Sequence, residues 1–264
     1  LAGRFAAAEA SLVVGGGAGS AAGLRLHPER AAEPLPPCST FKIPNSLIAL
    51  TAGVVTRNNN RLVWDPQRDP EQDWWPEHWA QDHDMPSALR HSALWYYQEL
   101  ARRIGAERMQ AQLDRIGYGN RDISGGIDRF WLGRSLAISA DEQVDFLARL
   151  ARGSLGFLPE HERYVADALV MERGTGPDGP WRLVAKTGSC TLPPGGSRPQ
   201  DTERWVGWLV GWIERPGGPP PTAFAFNTRG ASYAEIREER SALAVAALRE
   251  LGFLPAEASP RPQP

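Results

Sequence analysis

Apolar positions along the chain change period several times, and each change marks an element. Ser11 to Val14 is a short aliphatic run that enters the glycines from Gly15 to Gly19, the pattern of a strand leading into a hairpin turn. After Leu35-Pro36-Pro37, apolar residues recur at helical spacing from Ile43 to Ala52, and Gly53 stops them. Arg57 to Pro86 keeps no period and reads as loop, with Asn58-Asn59-Asn60, several prolines and Trp64, Trp74, Trp75 and Trp79. Ser92 to Ile104 predicts an amphipathic helix opened by Ser92 and stopped by Gly105, and a second helix follows from Glu107 to Ile116 before Gly117. Ser139 and Glu142 have capping-box spacing ahead of Val144, Phe146 and Leu147. From Trp181 the texture becomes strand-like: Trp181 to Lys186, Trp205 to Ile213 and Thr222 to Asn227, with Pro/Gly-rich turns between them. Tyr233 to Leu251 predicts a long closing helix ending at Gly252. This order suggests a helical lobe inserted into an α/β lobe built from both chain ends.

Composition narrows the function classes. The 264 residues are 42% hydrophobic and 23% charged, ordinary for a globular chain with a large core. A net charge of −2 makes no electrostatic case for nucleic acid or an anionic membrane. No apolar run reaches the ~18 residues that a membrane helix needs. The N-terminus carries no charged-then-apolar signal pattern, so an export signal is expected to have been removed already. His27, His78, His83, His91 and His161 lack metal-ligand spacing, and no metal is expected. The Gly15–Gly19 run lacks a following Gly-Lys-Ser/Thr, which argues against a phosphate loop. The tail from Ser259 to Pro264 is expected to be disordered.

Candidate chemistry begins at Ser39-Thr40-Phe41-Lys42. Residues three apart share a helical face, so the hydroxyl and the amine can meet at a helix N-terminus whose free N–H groups suit an oxyanion. Serine is a poor nucleophile until a base removes its proton, and lysine is that base only if burial lowers its pKa. Alone, the pair could equally be a helix cap and a solvated lysine. Three further groups follow: Ser92-Ala93-Leu94, Tyr118-Gly119-Asn120 after the next helix, and Lys186-Thr187-Gly188 at the end of a predicted strand. Each could be a cap or a turn, but their joint order is not expected by chance.

Pro37-Cys38-Ser39-Thr40-Phe41-Lys42-Ile43-Pro44-Asn45 closely resembles the nucleophile segment of class D β-lactamases, the oxacillinases. Tyr118-Gly119-Asn120, Ile123 to Asp128, Phe130-Trp131-Leu132, Lys186-Thr187-Gly188, Val210-Gly211-Trp212 and Phe224 to Asn227 continue the likeness in order. S-x-x-K and K-T-G are shared with class A enzymes, whereas Tyr-Gly-Asn and Phe-Trp-Leu separate class D from them. The resemblance implies the serine β-lactamase and penicillin-binding-protein fold: an α/β (α+β layered) chain with an antiparallel sheet, terminal helices and an all-helical lobe. It makes 1–264 one catalytic domain, with an α/β lobe at about 1–36 plus 171–264 and a helical lobe at about 37–170.

The same resemblance implies β-lactam hydrolysis in the periplasm. Ser39 becomes acylated. Lys42 is N-carboxylated by CO2 or bicarbonate, with no other cofactor, and serves as base in acylation and deacylation. Trp131 donates its indole N–H to the carbamate, and Ser92 relays protons near the leaving nitrogen. Lys186, Thr187 and Gly188 line the substrate wall, with Arg240, or Arg237 one turn away, pairing with the substrate carboxylate. The N–H groups of Ser39 and Ser189 form the oxyanion hole. Where the family has Ser-x-Val this chain has Ser92-Ala93-Leu94, so Leu94 adds a methylene over the carbamate. The partners implied are small β-lactams. Oligomeric state is not legible. The segment Ser189 to Arg204 is expected to flank the site. A β-lactam sensor domain or a penicillin-binding D,D-peptidase shares the first and last motifs and would acylate without efficient turnover.

Cys38 and Cys190 are the two cysteines, one beside the nucleophile and one two residues beyond Gly188. Their placement is similar to that of the bridged pair in class A carbapenemases. A disulfide is therefore expected, provided the Cα atoms lie within about 7 Å; two free buried thiols are the alternative.

Overall fold

The computed structural model describes residues 2–15, 23–192 and 204–255. Helix α1 (Ala2–Ala7) and strands β1 (Ser11–Gly15) and β2 (Leu24–Leu26) precede a short α2 (Pro28–Ala31). A 3₁₀ turn at Cys38–Phe41 runs directly into α3 (Lys42–Thr51), followed by α4 (Met85–His91), α5 (Leu94–Ile104), α6 (Ala106–Ile116), α7 (Ala140–Ala151) and α8 (Pro159–Ala168). Strands β3 (Val170–Gly176), β4 (Gly179–Thr191), β5 (Trp205–Glu214) and β6 (Thr222–Gly230) lead to α9 (Tyr233–Glu250).

The six strands form one sheet in the order β2-β1-β6-β5-β4-β3, antiparallel throughout. Both chain ends thus contribute to one sheet, as expected. The period-two alternation of its strands splits the core in two. Leu183, Ala185, Leu209, Ile213, Phe224 and Phe226 face the layer formed with Phe5, Ala244 and Leu248 of the terminal helices. Val184, Val206, Trp208, Val210, Trp212 and Ala225 face the opposite way, into the core shared with α3, α5 and α7. The capping box at Ser139 forms with both reciprocal bonds, and Gly53 and Gly252 take positive φ at the ends of their helices.

Several expectations need correction. Ser92 does not open a helix: it is the left-handed C-cap of α4, at φ 58, and α5 begins at Leu94. The α4 helix was hidden inside a proline-rich stretch, yet Asp84 caps it and Pro86 occupies its first turn, where a missing N–H costs nothing. Lys186-Thr187-Gly188 does not end a strand, because β4 continues to Thr191. Its pairing with β5 stays in register from Arg182↔Glu214 to Thr191↔Trp205, so backbone bonds carry it through the glycine. Helices α1, α2 and α8 and strands β2 and β3 were also not anticipated. The turn expected at Gly15–Gly19, the Pro193–Gly196 segment and the tail at Ser259–Pro264 fall wholly or mostly outside the described residues; β1 and β2 do pair as antiparallel neighbours.

Cys38 and Cys190 form a disulfide with Cα atoms 5.6 Å apart. It ties the 3₁₀ turn to β4 across 152 positions of sequence, and Cys38 itself takes the left-handed region at φ 51.

Candidate active site

The nucleophile turn is held by contacts that Pro37 begins. Its carbonyl accepts from the Thr40 N–H at 3.1 Å and from Thr40 Oγ1 at 2.7 Å. Gln143 of α7 donates to Thr40 Oγ1 at 2.9 Å, and the Trp208 indole of β5 donates to the Pro36 carbonyl at 2.9 Å. The turn is therefore gripped from α7 and from β5. Within it, Lys42 Nζ and Ser39 Oγ are hydrogen-bonded at 2.7 Å. Lys42 is 1% exposed. Burial first, and the nearby Lys186 charge second, hold its amine well below the ordinary lysine range. No carboxylate contributes to that shift, so the neutral amine is favoured.

An aromatic ring faces this lysine, and an aromatic cluster builds on the adjacent Phe41. Its Nζ lies 5.6 Å from the centre of the Tyr97 ring. Tyr97 bonds Ser46 Oγ at 2.9 Å, and burial pushes its phenol well above the usual range, so it remains a neutral neighbour. Phe41 stacks on Trp131 at 5.3 Å and meets Phe130 and Tyr118 edge-on. The Trp131 carbonyl accepts from the Cys38 N–H at 3.0 Å. Its indole N–H is buried and has no partner, a costly state for a donor in an apolar interior.

The opposite wall is β4. Lys186 is 4% exposed and donates to Ser92 Oγ at 3.1 Å and to the Thr187 carbonyl at 3.0 Å. Burial, reinforced by the Arg240 charge, brings its pKa down to about 7. A Cβ at position 188 would lie 3.0 Å from the Pro37 carbonyl oxygen and 3.0 Å from Thr40 Cγ2. Glycine there lets the strand press against the nucleophile turn. Arg240 of α9 hydrogen-bonds Ser189 Oγ and reaches the Gly188 carbonyl at 3.4 Å, leaving its Nε buried and unpaired. Arg237, one turn earlier in α9, is exposed.

The structure thus brings Ser39, Lys42, Ser92, Lys186, Gly188, Ser189 and Arg240 into one contact chain. Trp131 joins it through Phe41 and the Cys38 backbone. Leu94 is half-buried in the first turn of α5. Tyr97, Ser46 and Gln143 were missed by sequence reasoning. The available signal was polarity inside apolar helices: Asn45 and Ser46 interrupt α3, and both bond to Tyr97. Among the described residues no cluster of His, Cys, Asp and Glu could hold a metal, and no helix is long and apolar enough to cross a membrane.

Comparison with known proteins gives a consistent picture. Residues 26–247 match the family model of the penicillin-binding-protein transpeptidase domain. Beta-lactamase OXA-48 of Klebsiella pneumoniae is 40% identical over 187 residues, covering 70% of this chain and 63% of its own length. The chain therefore spans somewhat under two thirds of that relative. The solved class D β-lactamase from Bacillus subtilis superposes with a TM-score of 0.78 at 32% identity, over 96% of both chains. The C-terminal domain of the Bacillus licheniformis BlaR penicillin-receptor superposes with a TM-score of 0.80 at 27% identity, over 95% of this chain and 94% of that one.

Proposed function

The chain belongs to the class D β-lactamases, and we propose from this premise that it hydrolyses β-lactam antibiotics through an acyl-Ser39 intermediate. The observation that carries the reading is the Ser39–Lys42 bond of 2.7 Å at a buried amine held well below its ordinary pKa. Lys42, read as the N-carboxylated base described below, takes the Ser39 proton as Oγ attacks the lactam carbonyl. The N–H groups of Ser39 and Ser189 receive the developing oxyanion. Collapse breaks the carbonyl–nitrogen bond, and the Ser92 hydroxyl, already bonded to Lys186, passes a proton to the leaving nitrogen. Water then attacks the ester and frees Ser39. Arg240, with Lys186, Thr187 and the Gly188 backbone, pairs with the substrate carboxylate.

Lys42 suits N-carboxylation, because carbamate formation needs the neutral amine and the unpartnered Trp131 indole N–H is a donor in search of an acceptor. When formed, the carbamate supplies a carboxylate base beside Ser39. Trp131 would hold it, with Tyr97 and Phe41 keeping the surroundings apolar and Leu94 adding cover. Periplasmic residence accords with the Cys38–Cys190 bridge, which persists in oxidising compartments. The two lobes, 1–36 with 171–264 and 37–170, are the units between which the site is read.

The likeness to the BlaR receptor domain supports a second reading, a sensor that acylates and stops. Turnover separates the two. The purified chain with nitrocefin and bicarbonate should complete many cycles per molecule. A single stoichiometric burst without turnover would establish the sensor instead.

A further inference from the structure

Trp131 sits in a segment of consecutive turns with no regular secondary structure of its own. Phe130 and Arg129 donate to the Gly126 carbonyl, and Leu132 donates to Arg129. Such a segment is placed by what it is tied to. One tie is the Cys38 N–H on the Trp131 carbonyl. Another lies three residues upstream, at Asp128, where α5 holds both backbone and side chain. Gln98 Nε2 donates to the Asp128 carbonyl at 3.1 Å, and Arg102 Nη1 donates to its carboxylate at 3.0 Å. Gln98 and Arg102 are four apart on one face of α5.

Arg102 is fixed in turn. It bonds Glu99 at 3.2 Å and Asp69 at 3.4 Å, so three carboxylates converge on one guanidinium that is only 25% exposed. Burial works against ionisation of Asp128, but its bonds to Arg129 and Arg102 outweigh this and keep its carboxyl below the ordinary range. The same helix carries Tyr97, whose ring faces Lys42 Nζ. One helix therefore carries the ring that faces Lys42 and also holds the segment from which Trp131, the carbamate's partner on the reading above, projects.

We infer that Arg102 and Asp128 are positioning residues for the Trp131 indole N–H, and through it control how readily Lys42 takes up CO2. This rests on the carboxylated-lysine reading above. Neither residue touches Ser39 or Lys42 in the structure.

The test follows the carbamate itself, by 13C NMR of the full-length chain equilibrated with labelled bicarbonate, alongside nitrocefin turnover. R102Q and D128N are each expected to raise the bicarbonate needed for half-maximal carbamate signal by about tenfold or more, the scale on which lost outer partners weaken a bound group. Saturating bicarbonate should then restore most of kcat. R103Q removes a charge from the same helix, where Arg103 pairs with Glu99 at 2.7 Å, but spares the Asp128 contacts. Its bicarbonate requirement should stay within about twofold, since Glu99 keeps Arg68 and Arg102 as partners. Unchanged CO2 uptake in D128N and R102Q, or an equal shift in R103Q, overturns the inference. If R102Q does not fold, the nearly isosteric D128N decides alone. A parent chain that gives no carbamate signal at any bicarbonate concentration overturns the Lys42 reading itself and takes the inference with it.

Discussion

Lys42 and Lys186 are both almost fully buried, at 1% and 4% exposure, yet their surroundings prepare them for opposite tasks. Lys42 lies against the Tyr97 ring, and its hydrogen-bond partner among the described residues is the Ser39 hydroxyl. Among the described residues no carboxylate pairs with it, and burial holds the amine well below the ordinary lysine range, which favours the neutral form that the proposed mechanism needs. Lys186 donates to a hydroxyl and to a backbone carbonyl, next to the cationic Arg240. Its pKa of about 7 leaves it partly charged at neutral pH, in a wall that is short of one anion. On the proposed reading, the substrate carboxylate supplies that anion. Each lysine feels burial and a neighbouring cation, and the difference lies in the contacts: an aromatic ring and the Ser39 hydroxyl at Lys42, the Ser92 hydroxyl and a backbone carbonyl at Lys186.

The comparison can be broken most severely at the base. K42A should lower nitrocefin kcat on the order of a thousandfold or more, as loss of a general base does, and added bicarbonate should not restore it. Recovery with bicarbonate would show that another group is the base. W131F removes the indole donor and keeps an aromatic ring. It should lower kcat by about ten- to a hundredfold at ambient CO2, with substantial rescue by bicarbonate.

On the other wall, R240A should raise KM for penicillins by about tenfold or more, equivalent to about 1.4 kcal/mol, while kcat changes much less. A fall in kcat with unchanged KM would move Arg240 out of substrate binding. The pH dependence sharpens the same point. A lysine with a folded pKa of about 7 is cationic below that pH and neutral above it. KM should therefore rise as pH climbs through this range, and more steeply in R240A, where no second cation remains. Acidification should instead act on kcat, because Lys42 below its lowered pKa is protonated and cannot accept the Ser39 proton. L94V, at the edge of the pocket, is expected to change kcat by less than about threefold, in line with loss of one methylene on a half-buried side chain.

The disulfide offers a check independent of activity. The unreduced chain, unfolded in denaturant, should yield no free thiol. The chain-entropy model credits so long a loop with on the order of 4–5 kcal/mol before native strain, so C38A/C190A should melt at a clearly lower temperature.

Sequence patterns exposed a good deal of this molecule because they act locally. The helices at α3, α5, α6, α7 and α9 and the strands at β1, β4, β5 and β6 follow from apolar period and from stop signals such as Gly53 and Gly252. The spacing of Ser39 and Lys42 is a property of one turn, and the motif order pointed to the family before any contact was known. Ser92 shows the limit of that reasoning. A serine ahead of an amphipathic run looks like an N-cap, but here it closes the preceding helix in a left-handed conformation. That choice turns its hydroxyl towards Lys186. Helix α4 was obscured because prolines signal loop in general and helix start only in context.

What the sequence determined alone was the inventory: a serine and a lysine one turn apart, a tryptophan block, a K-T-G segment and two cysteines. Tertiary structure decided what each member meets. It set Arg240 against Ser189, while Arg237 stays exposed. It brought Cys38 within 5.6 Å of Cys190, passed β4 against the nucleophile turn at Gly188, and hung the Trp131 segment from Arg102. These outcomes rest on contacts between residues far apart in the chain. Burial and charge at such contacts belong to the assembled core, so the pKa values that separate Lys42 from Lys186 arise only once the lobes are packed.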